Sequence, residues 1–342
     1  MKKDRYNNQW TGARLAVWGS TVVGVLILVV LVWRLDWSLL VNELGRIRWA
    51  FVPGLIGMTL LTFWFRAIRW RHLLPKGERF SRTCLLEASL VGFAANFVMP
   101  LRVGELVRPW VMSRWQAIRF SSALASIVVE RVFDVIALMV LFGFCVGRLP
   151  SVPDWVVFGV RVMGLGGVGL LLFVLVVYVQ GARMIRVGER CLERFLGHRF
   201  PRFVAKLVDL MEEFVTGLKG ISSLKDLAWA VLWSTALWGS LVMLYQFGLW
   251  SFGVDDSWWV GASVCVMIAL AVAAPGAPGF IGTFQLGTVV ALALFGYSEE
   301  FGMAYSLVLH ALQVITVVLA GVFVLHRRTM SWSDIRQRSG GA

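Results

Sequence analysis

Asn96-Phe97-Val98-Met99-Pro100-Leu101-Arg102-Val103-Gly104-Glu105 interrupts an apolar run that begins at Thr83. Proline removes a backbone donor and glycine weakens a helix, so a helix over this run ends near Met99. The chain resumes for only about eleven residues, Glu105 to Trp115. A membrane-spanning helix needs roughly 17–25 residues, so this second piece is too short to cross alone. The spacing predicts a re-entrant hairpin of two half-helices. A second region has the same form: Trp258–Ala274 breaks at Pro275-Gly276-Ala277-Pro278-Gly279 and resumes from Phe280 to Gly296. Irregular backbone at membrane depth is tolerated only where it is buried in protein or lines a wet cavity. The alternative is a full helix at each place, with an ordinary proline-containing loop.

The rest of the chain supplies the membrane setting. Of 342 residues, 58% are hydrophobic and 15% charged, against about 45–50% and 25% in soluble domains. Mean hydropathy is +0.74. This composition excludes intrinsic disorder and argues against a soluble enzyme. Long apolar stretches lie at 15–33, 49–65, 121–147, 156–179, 226–250 and 301–325. The first is longer than the apolar region of a signal peptide and is followed by Trp33-Arg34-Leu35-Asp36-Trp37, not by a small-residue cleavage site. The expected fold is all-α: a polytopic helical bundle with about six full spans and two opposed re-entrant half-helix hairpins, or eight spans if the hairpins cross. Residues 1–14 form an N-terminal segment, 15–325 a single transmembrane domain and 326–342 a tail.

Net charge is +13, from 33 Lys+Arg and 20 Asp+Glu. With the N-terminus inside, 27 basic residues fall in inside segments, Arg66, Arg69 and Arg108 among them, and four fall outside. That split matches the positive-inside rule and places both termini in the cytoplasm. It also brings the first hairpin in from the cytoplasm and the second from outside, the arrangement an inverted repeat produces. Within 181–225, Phe203, Leu207, Leu210, Phe214 and Leu218 recur at helical spacing. This reads either as an amphipathic helix on the inner leaflet, where its bases attract anionic lipid, or as a plain connector. Basic residues spread over five segments disfavour nucleic-acid binding. Cys84, Cys145, Cys191 and Cys265 are scattered, and His72, His198, His310 and His326 lack ligand spacing, so no metal or other cofactor is expected.

Two polar constellations and one glycine-rich tip carry the candidate chemistry. At the first break stand Asn96, Arg102, Gly104, Glu105 and Arg108. Arginine forks bind phosphate bidentately, and a half-helix starting near Gly104 would aim its amides and positive dipole end at an anion. The structural alternative has Arg102 and Arg108 snorkelling to the surface, with Glu105 paired to one of them. The second constellation is Glu130-Arg131-Val132-Phe133-Asp134, with its two acids on one helix face. Ionisable groups inside a membrane are costly and mark function; the alternative is a structural ion pair between Arg131 and Glu105 that ties hairpin to bundle. At the second break, Gly276, Gly279 and Gly282 permit a tight tip and close backbone approach, for an anion or only for helix packing. His310 and Gln313 read as satisfied interior polar groups.

These motifs, with Arg69-Trp70-Arg71-His72-Leu73-Leu74, occur in an order that resembles the transmembrane region of lysylphosphatidylglycerol synthases, the flippase-like membrane family. The similarity covers roughly residues 15–325. It implies an integral inner-membrane protein that handles lipids; larger relatives add aminoacyltransferase or glycosyltransferase domains. Two departures stand out. Ala277-Pro278 interrupts a motif that usually reads Pro-Gly-Gly-x-Gly, and Gln285 stands near the acid that normally follows. This chain shows neither soluble catalytic domain, so it is not expected to make the lipid itself.

The function expected is translocation of a phosphate-containing lipid, a phospholipid or a polyprenyl-phosphate-linked one, between leaflets. Asn96, Arg102, Gly104, Arg108, Gly276, Gly279 and Gly282 would bind the phosphate. Glu105, Glu130, Arg131 and Asp134 would gate or couple movement. Expected partners are anionic membrane lipids and a separate lipid-modifying enzyme, with no nucleic acid. The competing expectations are an intramembrane transferase on a polyprenyl-phosphate lipid, with Glu105 or Glu130 as base, and an accessory scaffold for a lipid-modifying enzyme.

Overall fold

The computed structural model describes residues 22, 25–33, 35–75, 80–99, 102–146, 154–192, 194, 201–218, 223–273 and 277–328. The 1–14 segment, the start of the 15–33 span, Pro100, Gly276 and the tail beyond 328 lie outside them. Among the described residues every regular element is helical. In chain order these are α1 (Trp37–Gly45), α2 (Val52–Leu73), α3 (Arg82–Val98), α4 (Gly104–Trp115), α5 (Phe120–Val146), α6 (Asp154–Leu192), α7 (Pro201–Leu218), α8 (Leu224–Ser251), α9 (Trp258–Ala273), α10 (Thr283–Ala293) and α11 (Glu299–Arg327). Local chemistry sets several starts. Asp36 accepts from the amides of Ser38 and Leu39, Ser223 from Asp226, and Ser298 from Phe301. Each satisfies an amide that an open helix end leaves unpaired.

Four described helices are long and apolar enough to cross a membrane, within Trp49–Leu73, Val157–Val177, Leu224–Ser251 and Glu299–Arg327, and a fifth span forms if Val25–Trp33 and Trp37–Gly45, bent by 99°, count as one. α5 has the length, 27 residues, but it carries Glu130, Arg131 and Asp134 along its middle. The chain is a multi-pass helical membrane protein.

α2 and α8 pack together and run antiparallel. Phe51 at the start of α2 meets Phe247 near the end of α8 (ring centroids 5.0 Å apart), and His72 near the end of α2 meets Trp229 near the start of α8 (5.8 Å). This fixes the hairpins. α3 follows α2 and enters from one end of the bundle; α9 follows α8 and enters from the other. α3 packs on α4, and α9 on α10. The returning legs have 12 and 11 residues, roughly 16–18 Å at 1.5 Å per residue, about half a 30 Å hydrocarbon core. The turn Pro278–Phe280 touches the end of α3, where Phe97 and Phe280 meet edge-on at 5.9 Å. The two hairpins therefore enter from opposite ends and meet tip to tip.

α7 departs from both readings of the 181–225 segment, since it docks on α5 and α6. Glu213 accepts from Arg119 at 2.7 Å and from the Ser121 hydroxyl, and its carbonyl accepts from Ser122 at 3.1 Å. Neighbouring turns of α5 and α7 touch closely at Gly217, where a Cβ would stand 2.7 Å from Ser122. α11 runs beside both hairpins, and its last turn closes onto α3 through Arg327 and Arg328, which both donate to Glu87.

Candidate functional site

The helix pattern that buries Phe63, Ala67 and Trp70 also carries Arg66 and Arg69 into the bundle. The expectation that these two arginines belong to an inside loop is corrected here: α2 continues eight residues past Phe65, to Leu73. A charged side chain in an apolar interior is destabilising unless it is paired and hydrogen-bonded, and the pairing comes from α5. Glu130, fully buried, lies 3.1 Å from Arg66, 3.1 Å from Arg69, 3.1 Å from Arg108 and 3.0 Å from Arg131. Arg108 grips it with both terminal nitrogens and stacks on the Trp70 ring at 4.2 Å. Trp70 in turn donates its indole N–H to Ser126 at 2.8 Å. Asp134, one turn along, accepts from Arg69 at 2.7 Å, from the Trp238 indole at 3.4 Å, and sits 3.2 Å from Arg131. Arg131 also reaches Glu105 at 3.7 Å, the hairpin-to-bundle tie that sequence spacing suggests. One network thus joins α2, α4, α5 and α8.

Beside this network lies a cavity of about 370 Å³ between the hairpin tips. Its polar wall is formed by Arg66, Asn96, Arg102, Glu105, Arg131 and Asp134; the opposite wall is aliphatic and aromatic, with Leu241, Ile268, Val272, Phe280 and Phe284. Arg102 and Phe280 are the non-glycine residues with left-handed backbone among those described, at φ 54° and 61°. Each sits at a hairpin tip, and the Arg102 guanidinium rests over the Phe280 ring at 5.6 Å. Such conformations are disfavoured for ordinary side chains and persist where the surroundings enforce them. Arg102 Nη2 and Asn96 Oδ1 are both buried with no hydrogen-bond partner among the described residues.

The residues expected to bind phosphate divide. Asn96 and Arg102 reach the cavity wall. Arg108 neither snorkels nor lines the cavity; it is buried and committed to Glu130. Gly104 is a contact point between hairpin legs, because a Cβ there would lie 1.8 Å from the Gly92 carbonyl oxygen. The amide cradle expected at its helix start is also taken: Glu105 N–H donates to the Arg102 carbonyl, and Leu106 and Val107 donate to that of Val103. Gly279 (φ 69°) and Gly282 (φ 84°) make the second tip, and a Cβ on Gly279 would sit 3.1 Å from the Phe97 carbonyl oxygen. Gly276 lies outside the described residues. Glu105, Arg131 and Asp134 border the cavity, whereas Glu130 stands behind them.

Gln285, in the place of the expected acid, has a structural task. Its Oε1 accepts the Gly282 N–H at 2.8 Å, so its amide nitrogen faces His310 Nδ1 at 3.1 Å and donates to it. His310 stacks flat on Phe284 at 4.4 Å. Tip, half-helix and last helix are joined through one amide. Gln285→Leu is expected to lower stability by about 1–3 kcal/mol, since it strands a buried donor and a buried ring nitrogen. Thermal unfolding in detergent measures this, and an unshifted transition would remove the amide from the tip's support.

Fold and site together define a class: a multi-pass helical membrane protein with opposed broken hairpins and an interior arginine–carboxylate network beside an amphipathic cavity. Residues 17–321 match the family described as lysylphosphatidylglycerol synthase TM region, and the chain belongs to that family. It is also similar to the glycosyltransferase AglD of Haloferax volcanii, at 26% identity over 341 residues covering 90% of this chain and 54% of the relative. The chain thus spans about half the length of that relative. No solved structure matches it.

Proposed function

We propose that this protein translocates a phosphate-bearing lipid between the leaflets of the cell membrane, with both termini cytoplasmic and the first hairpin entering from that side. The observation that carries this reading is the meeting of Arg102 and Phe280 over the cavity, two strained tip residues from hairpins entering at opposite ends. A site bounded by both tips is reachable from either end by small movements of one hairpin against the other, as in transporters built on broken helices. Cavity chemistry fits the cargo. Arg66, Arg69, Arg102, Arg108 and Arg131 face only Glu105, Glu130 and Asp134 among the described residues of the network. The excess is positive and suits a phosphate, while the aromatic wall suits the first carbons of a lipid chain. At about 370 Å³ the cavity holds a head group and not a whole lipid, so the chains would trail into the bilayer.

The family match and the relative's name support lipid handling in general. The name also keeps a second reading in view, an intramembrane transferase on a lipid carrier. Glu130 is a poor base for it, because its carboxylate oxygens are engaged by four guanidinium groups; Glu105, one-third exposed at the cavity edge, is the better one.

Arg102→Ala, in purified protein reconstituted into proteoliposomes, is expected to reduce flipping of a fluorescent phospholipid at least tenfold. Its melting temperature should be unchanged, since Arg102 Nη2 has no hydrogen bond to lose among the described residues. Flipping at the wild-type rate would refute the site. Product formed from a labelled lipid-phosphate donor and abolished by Glu105→Gln would favour the transferase.

A further inference from the structure

A second cavity, of about 660 Å³, lies on the outer side of α2 and α8 at the end where the first hairpin enters. Its mouth is basic. Arg71, Arg82 and Lys225 are all exposed there, and none makes an ion pair with another described residue. They come from three helices, the end of α2 and the starts of α3 and α8, so folding alone brings them together. The single acid lining the groove among the described residues, Asp226, takes the Ser223 hydroxyl at 2.6 Å.

Below the mouth the lining turns apolar. Along α8 the groove runs from Lys225 to Trp233, about 12 Å deeper at 1.5 Å per residue, and along α2 it runs back from Arg71 to Ile68 and Trp64, about 10 Å. One wall is a ladder of flat rings: His72 stacks on Trp229 at 5.8 Å and 13°, and Trp229 on Trp233 at 6.3 Å and 16°. The Trp233 indole N–H is buried with no partner among the described residues. Cations at the mouth, indoles at the level of the glycerol backbone and aliphatic surface beneath reproduce the polarity profile of one bilayer leaflet.

We propose that this groove seats the phosphate head group and upper chains of an anionic phospholipid, at a site separate from the interior cavity. In the orientation proposed above this end faces the cytoplasmic leaflet, where anionic lipids concentrate. Arg71, Arg82 and Lys225 hold the phosphate, the Trp233 N–H donates to a glycerol-ester oxygen, and the ring ladder receives the chains. The bound lipid braces the turn of α2 whose inner face carries Arg66 and Arg69.

Native mass spectrometry of the delipidated full-length protein, titrated with phosphatidylglycerol or with phosphatidylcholine, tests this directly. Wild type should retain phosphatidylglycerol at least tenfold more strongly than phosphatidylcholine. Arg71→Gln/Lys225→Gln should weaken one phosphatidylglycerol site by about 20- to 30-fold, on the order of tenfold or less per exposed basic residue near a membrane surface. Both side chains are exposed, so the variant's unfolding temperature should match wild type. Arg102→Ala should keep this site whatever it does to flipping. The groove is overturned if the double variant binds phosphatidylglycerol like wild type, or if phosphatidylcholine binds equally well. Loss of binding in Arg102→Ala alone would also overturn it, leaving the interior site standing.

Discussion

Glu130→Ala is expected to destabilise the bundle by about 3–5 kcal/mol, the range seen when one partner of a buried ion pair is removed and the other stays buried. The reason is in the stoichiometry. Four guanidinium groups converge on this one carboxylate, each at 3.0–3.1 Å. Arg69 and Arg108 are also among the largest fully buried side chains in the chain. Without Glu130 they have no route to water, and Asp134 can serve only Arg69 and Arg131. Glu130→Gln should do less damage, because an amide oxygen still accepts from a guanidinium. Adding Arg108→Met to Glu130→Ala should recover part of the loss, since it removes one uncompensated charge and leaves an apolar chain against Trp70. The double-mutant cycle should therefore show coupling well above the few tenths of a kcal/mol of independent sites. Melting curves of the detergent-solubilised protein provide the measurement; Glu130→Ala melting with wild type would mean that the carboxylate does not neutralise these arginines.

The features legible in the sequence are those with local causes. Pro100 with Gly104, and Pro275 with Pro278, mark breaks because proline and glycine act on their own backbone, and α3–α4 and α9–α10 turn where those residues stand. Glu130, Arg131 and Asp134 are spaced for one helix face and do share a network. What local reading cannot supply is the identity of a partner far along the chain. Arg66 and Arg69 look like the charged end of a span, because the residues that neutralise them come more than sixty positions later on α5. The usable signal is the continued helical spacing of Phe63, Ala67 and Trp70 across those arginines. Arg108 reads as a phosphate ligand for the same reason: its carboxylate is 22 residues away on another helix. Gln285 looks like a lost acid until Gly282 and His310 are placed around it. Moving three of the 27 inside charges into the bundle leaves the asymmetry one-sided, so the orientation argument survives the correction.

Gly104→Ala should be nearly as damaging as loss of Glu130, and for a reason of space instead of charge. A Cβ built there would fall 1.8 Å from the Gly92 carbonyl oxygen and 2.5 Å from Asn96 Oδ1. The first is backbone in the middle of α3 and cannot rotate away, so the legs of the hairpin must separate. Overpacking typically costs about 1–3 kcal/mol, and here parting the legs also displaces Arg102, two residues earlier at the tip, and Arg108, one turn later in the network. A loss at the top of that range or beyond is expected, together with lost flipping in whatever fraction folds. The control lies in the same bundle. At Gly57 on α2 and Gly143 on α5, an added Cβ would meet nothing within 4 Å. Alanine there should be neutral or stabilising by about 0.5–1 kcal/mol, because a helical glycine carries excess unfolded-state entropy. Thermal unfolding of the three variants side by side separates close approach from helix propensity. If Gly104→Ala melted with Gly57→Ala, the two legs would not be in contact, and the hairpin geometry that sets Arg102 against Phe280 would lose its support.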